Sequence, residues 1–156
     1  MHFGRSGDIS TVSVRPPAAV DPLRCPQRDR SGPREDPAMK ITQAFTFEAA
    51  HRLPNVPQTH RCHRMHGHSY RVELTVSGAV DPTSGWVVDF YDIESAFAPL
   101  LERLDHHCLN EIEGLENPTA EHIAAWIWHR AKPAIPGLSS VRIFETPYSW
   151  AEYEGD

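Results

Sequence analysis

Residues 60–76 read HRCHRMHGHSYRVELTV, and the alternation in the second half of this stretch decides the architecture. From His66 onward, His66, His68, Tyr70, Val72, Leu74 and Val76 share one parity, while Ser69, Arg71, Glu73 and Thr75 take the other. That is the period of a half-buried β-strand, and it sets the two histidines side by side on the inward face at the strand's start. A second run, Ile41 to Ala50, is rich in β-formers and places Ile41, Phe45, Phe47 and Ala49 on one parity, with His51 at its end. If the two strands pair as antiparallel neighbours, the end of the first lies beside the start of the second, and His51 meets His66 and His68. Three neutral imidazoles around an open fourth position are the ligand set of a catalytic zinc. His60 and His63 are nearby alternatives, but both fall in the loop 52–65, which also carries Pro54, Pro57 and Cys62.

Further along, Asp81 to Gly85 forms a turn cluster, and Ile93, Phe97, Leu100 and Leu104 recur at helical spacing. Asp92 is the expected N-cap of this helix, and Pro99 is expected to kink it. A second helix opens at Pro118-Thr119-Ala120-Glu121, with Thr119 as N-cap and Glu121 favourable against the dipole. It presents Ile123, Trp126 and Ile127 as its apolar side and ends before Pro133. Ser139–Glu145 and Trp150–Tyr153 read as two last strands around a turn at Pro147. The order strand, strand, helix, helix, strand, strand implies an α+β fold, a four-stranded antiparallel sheet with two helices between strands two and three. Such a sheet has open edges that oligomerisation can close.

The leader, residues 1–38, holds six of the 14 prolines and one aromatic, Phe3. It is too poor in apolar surface to offset the entropy of ordering, and it lacks the apolar core of a secretory signal. It is expected to be a disordered leader or an over-long start, with residues 39–156 forming the domain. That domain is acidic within a chain of net charge −6, which argues against nucleic acid and anionic membranes as partners. Three cysteines (Cys25, Cys62 and Cys108) make no disulfide framework, so a reducing cytoplasm fits.

Four other positions carry chemistry whose reading the residues leave open. Cys62 is either a fourth zinc ligand or a reactive thiolate beside the metal. Asp105-His106-His107, just past a helix, is either an orienting pair for proton transfer or a helix end with histidines set favourably against the dipole. Cys108 reads as packing. Glu145 shares inward parity with Val141 and Ile143, so it either faces solvent at the strand's end or meets a ligand with a guanidine-like edge.

Phe47-Glu48-Ala49-Ala50-His51, Cys62-x-x-x-His66-Gly67-His68, Asp89-Phe90, Asp105-His106-x-x-Leu109-Asn110, Pro118-Thr119-x-Glu121 and Phe144-Glu145-Thr146 together resemble the 6-pyruvoyl-tetrahydropterin synthase family. The resemblance implies the tunnelling fold (T-fold), in which trimers join sheets into a barrel and two trimers stack as a hexamer, with active sites at subunit boundaries. It also implies zinc on His51, His66 and His68, catalysis by Cys62, a proton relay of Asp105 and His106, and a pterin held by Glu145; His107 inherits no role. The three residues between Cys62 and His66 resemble the carboxy-pterin branch. The expected reaction converts 7,8-dihydroneopterin triphosphate to 6-carboxy-5,6,7,8-tetrahydropterin, acetaldehyde and triphosphate, on the way to 7-deazaguanines such as queuosine. A pyruvoyl-forming synthase and a non-catalytic zinc- or pterin-binding module are the alternatives. A triphosphate substrate needs local positive charge, for which Lys40, Arg52, Arg64, Arg71 and Arg142 are the candidates.

Overall fold

The computed structural model describes residues 38–155, so the expected leader lies outside the described residues, Ala38 apart. Strands β1 (Met39–His51) and β2 (His66–Gly78) come first, followed by helix α1 (Phe90–Leu104), the two-residue strand β3 (His107–Cys108), helix α2 (Ala120–Ala131), and strands β4 (Leu138–Thr146) and β5 (Ser149–Tyr153). The sheet order is β3-β1-β2-β4-β5. All the long pairings are antiparallel, and only β3 lies parallel to β1.

The alternation read from the sequence sets the core. Tyr70, Val72, Leu74 and Val76 of β2 are buried with Phe47 and Ala49 of β1 and Val141 and Ile143 of β4. The helices cover this face, α1 against β1 and α2 against β4 and β5, adding Ile93, Phe97, Leu104, Ile123 and Ile127. Fully burying each such side chain stabilises the fold by about 1.5–3 kcal/mol before the cost of ordering. The register runs without a break from Met39↔Gly78 to His51↔His66. Thirteen paired positions therefore aim the last residue of β1 at the first of β2.

Two details differ from the sequence expectation. The N-cap of α1 is Asp89, whose side chain accepts from the Tyr91 N–H, whereas Asp92 sits inside the first turn and gives its own N–H to the Asp89 carbonyl at 3.1 Å. An Asp three residues into a helix still complements the dipole, which is why both positions look alike in a string of letters. Helix α1 holds Pro99 within its span, on the exposed side, where water can satisfy the Ser95 carbonyl that proline leaves without an N–H partner. Finally, β3 adds a fifth strand of two residues, too short to leave any periodic signal.

Replacing Asp89 with Ala is expected to lower stability by about 1 kcal/mol in urea denaturation, while Asp92→Ala changes it by only a few tenths.

Candidate metal centre and ligand cleft

Cross-strand pairing places His51 opposite His66, and Ala49 opposite His68. The three imidazoles converge, with one ligand atom from each lying within 4.8 Å of the others. The Nε2 atoms of His51 and His66 are 3.1 Å apart, close to the roughly 3.3 Å that separates two nitrogens on one tetrahedral zinc. Both rings are turned by backbone carbonyls. The Nδ1–H of His51 donates to the Pro118 carbonyl at 2.9 Å, and the Nδ1–H of His66 donates to the Arg64 carbonyl at 2.8 Å. Each ring therefore keeps its Nε2 lone pair for the shared point, the outer-shell arrangement that orients metal-binding histidines. The donor set fits a metal ion that accepts imidazole nitrogen. His60 and His63 stay in a 3-10 turn region of the loop; the His60 Nδ1 accepts from the Cys62 N–H at 3.2 Å.

His51 is 1% exposed. Burial, with lesser contributions from the neighbouring His66 and His68, lowers its pKa from 6.5 to about 4 against the raising effect of the Pro118 carbonyl. At neutral pH it is the uncharged imidazole that a metal requires. Asn110 braces the same strand end: its carboxamide oxygen accepts from the Arg52 N–H at 2.8 Å, and its NH₂ donates to the Arg52 carbonyl at 2.8 Å. The sequence offered Leu109-Asn110 only as part of a motif and gave it no such task.

Cys62, His66, His68 and Glu145 line one cavity of about 450 Å³ together with Arg61. Arg61 is thus a cation on the wall of the cleft, outside the set of basic residues expected to meet a triphosphate. Two of those, Arg71 and Arg142, are engaged elsewhere: Arg71 pairs with Glu73 at 2.6 Å, and Arg142 with Glu152 at 2.9 Å. Beside this cleft, a cavity of about 340 Å³ has both Glu121 and Glu145 on its wall. The carboxylate of Glu121, read from the sequence only as a partner of the helix dipole, is held below its usual range by its own backbone N–H and the Thr119 hydroxyl. Tyr70, on the same inward face, has its phenol pushed up by burial and by the charge of Glu145.

Asp105 and His106 form a pair, carboxylate oxygen to Nδ1 at 2.9 Å. The Asp105 carboxylate also accepts from the Glu48 N–H at 2.9 Å, and this contact, ahead of His106, holds it below the ordinary carboxylate range. The His106 N–H returns a 2.6 Å hydrogen bond to the Glu48 carbonyl. His106 takes a left-handed conformation, φ 59°, which turns the chain off α1 and into β3. Its ring is largely exposed and borders a different cavity, of about 470 Å³, with Glu48, Ser69 and His107. His68 lies on the walls of both cavities. Within one chain, then, Cys62 and Glu145 open on one cavity and His106 on another. Glu48 points outward and accepts from the Ser69 hydroxyl at 2.9 Å.

Among known families, the one described as 6-pyruvoyl tetrahydropterin synthase matches residues 40–156. A 6-carboxy-5,6,7,8-tetrahydropterin synthase from Synechocystis sp. is 42% identical over 119 residues, spanning 72% of this chain and 91% of the relative. A 6-pyruvoyl tetrahydrobiopterin synthase from Drosophila melanogaster is 32% identical over 140 residues, spanning 78% of this chain and 82% of the relative. The solved structure of a 6-pyruvoyl tetrahydropterin synthase from Caenorhabditis elegans superposes with a TM-score of 0.72 at 28% identity, covering 77% of this chain and 97% of that one.

The depressed His51 pKa carries a pH dependence. The unfolded chain takes up a proton at His51 near its ordinary 6.5, whereas the fold refuses it until about 4. The contribution of His51 is therefore complete above pH 6.5 and is lost as pH falls through about 4, a difference of about 3 kcal/mol. Urea titrations of metal-free protein across this window should show that decline, and His51→Gln should flatten it.

Proposed function

The chain belongs to the 6-pyruvoyl tetrahydropterin synthase family and has its T-fold, and from that premise we propose that it is a zinc-dependent carbon–carbon lyase. Its substrate is 7,8-dihydroneopterin triphosphate, which it converts with water to 6-carboxy-5,6,7,8-tetrahydropterin, acetaldehyde and triphosphate. The observation that carries this reading is the meeting of His66 and His68 with Cys62 and Glu145 on the wall of one cavity. His51, the third imidazole, closes the cluster from behind.

Glu145 accepts two hydrogen bonds from the guanidine-like edge of the pterin and so sets where the side chain lies along the cavity, the positional part of the rate gain. When bound on His51, His66 and His68, zinc supplies Lewis acidity, which makes protons next to the substrate's side-chain hydroxyls more acidic. The carbonyls of Pro118 and Arg64 keep two of those imidazoles in the tautomer that this requires. The Cys62 sulfur takes a proton from the side chain. His106, oriented by Asp105, exchanges a proton on the other face. Elimination of triphosphate, with Arg61 as the nearby cation, and cleavage of the side chain leave the carboxyl group on the ring.

Because His106 and Cys62 border different cavities of one chain, the relay is completed by a neighbouring copy. The unclosed sheet, with β3 at one edge and β5 at the other, supports a trimer-based barrel and a hexamer of two such trimers. The product class points to 7-deazaguanine (queuosine) biosynthesis. Cys62 and Cys108 are free thiols, in keeping with the cytoplasm, and among the described residues no helix is long and apolar enough to cross a membrane. A second reading, formation of a 6-pyruvoyl product at the same site, draws on the Drosophila relative; the higher identity to the carboxy-pterin synthase favours the first.

Zinc-loaded protein given 7,8-dihydroneopterin triphosphate should yield a carboxy-pterin and acetaldehyde by mass spectrometry. A pyruvoyl product would establish the second reading, and unchanged substrate would reduce the chain to a binding module. Cys62→Ala should lower turnover by roughly 10³-fold or more with metal content unchanged; loss of metal from that variant would make Cys62 a ligand. A chain beginning at Met39 should keep full activity.

A further inference from the structure

The inward face of the sheet holds one polar atom that the reaction above leaves unused. Tyr70 is completely buried, and its hydroxyl has no hydrogen-bond partner among the described residues. The ring is fixed in place, stacked on Phe47 at 4.8 Å and 13° and edge-on to His68 at 5.4 Å and to His51 at 5.9 Å. The β2–β4 register pairs Arg71 with Phe144 and Val72 with Ile143. Carried one step further, it sets Glu145 across from Tyr70 on the same face.

An unpaired buried hydroxyl costs about 1–3 kcal/mol, and on a ring packed between Phe47 and two imidazoles that cost calls for a reason. The ionised carboxylate opposite supplies one. It offers about four lone-pair positions, and a guanidine-like edge fills two of them. A planar heterocycle that covers Glu145 also strips water from the remaining positions, and a buried charge left short of partners is costly. The Tyr70 hydroxyl is the donor standing across from it.

We propose that Tyr70 is a positioning residue for Glu145: its hydroxyl donates to the Glu145 carboxylate when the heterocycle is bound and fixes the carboxylate plane toward the ring's N–H donors. This rests on Glu145 holding the heterocycle and goes beyond it by assigning the carboxylate its second partner. The hydroxyl has no partner among the described residues, and the bound heterocycle brings the carboxylate to it. Tyr70 thereby adds to affinity for the ring without touching the reacting atoms.

The test compares Tyr70→Phe, Glu145→Gln and the double variant, each zinc-loaded, by calorimetric binding of unsubstituted pterin and by KM and kcat on the triphosphate. Tyr70→Phe is expected to weaken pterin binding and raise KM about tenfold. Its metal content and urea midpoint should stay at or above wild-type values, and KM should change more than kcat. Added to Glu145→Gln, it should cost little more, because the partner it positions is gone. Wild-type affinity in Tyr70→Phe with Glu145→Gln impaired overturns the proposal, as does full additivity of the two. A lower urea midpoint with unchanged affinity overturns it as well and makes the hydroxyl the anchor of a structural water. Wild-type affinity in Glu145→Gln instead overturns the assigned role of Glu145 itself.

Discussion

The antiparallel register between β1 and β2 is the constraint on which the rest of the molecule depends. It brings His51 to His66 only because thirteen consecutive pairs lie in phase. A slip of one residue would turn every inward side chain of β2 to the other face, exchanging Tyr70, Val72, Leu74 and Val76 for Ser69, Arg71, Glu73 and Thr75. The apolar core and the imidazole cluster are therefore specified by the same alignment. Burial of the core residues pins the register, and the register in turn brings the three imidazoles together at no additional conformational cost.

Around that centre, the positioning is done largely by backbone groups. Pro118 and Arg64 offer carbonyls to the two imidazoles, Asn110 clamps both backbone atoms of Arg52, and Glu48 lends its N–H and carbonyl to Asp105 and His106. The helix caps and turns that hold the fold are thus also the outer shell of the site. The two faces of β1 are divided in the same way, with His51 ending the inward parity while Glu48, on the outward one, anchors the Asp105–His106 pair.

What could be read from the letters was whatever repeats with a period or recurs as a pair at fixed spacing. The strand of His66–Val76, the cap at Thr119 and the convergence of three histidines all follow from local rules that the fold leaves in force. The cap at Asp89 was not legible, because two aspartates three residues apart satisfy the same statistical preference and only the geometry of the Tyr91 N–H separates them. Two-residue β3 has no period to detect. The placement of His106 on a separate cavity depends on a left-handed turn that a non-glycine residue seldom adopts, and no spacing rule announces it. Arg61 was missing from the expected triphosphate cations for another reason: a loop residue's direction is decided by the 3-10 turn that carries it, not by parity.

The hydrogen bond from His51 to the Pro118 carbonyl has a consequence for how variants of this protein are to be interpreted. It ties His51 to Pro118, the residue before the N-cap of α2, across 67 positions of chain. A substitution that shifts the start of that helix is, in effect, a lesion of the imidazole cluster, even though it touches none of the three histidines. Natural variation near residues 118 and 119 is therefore better judged by its effect on the His51 ring than by distance from the cleft, and a catalogue of damaging changes drawn up from the three histidines alone would leave out one of the cluster's own hinges.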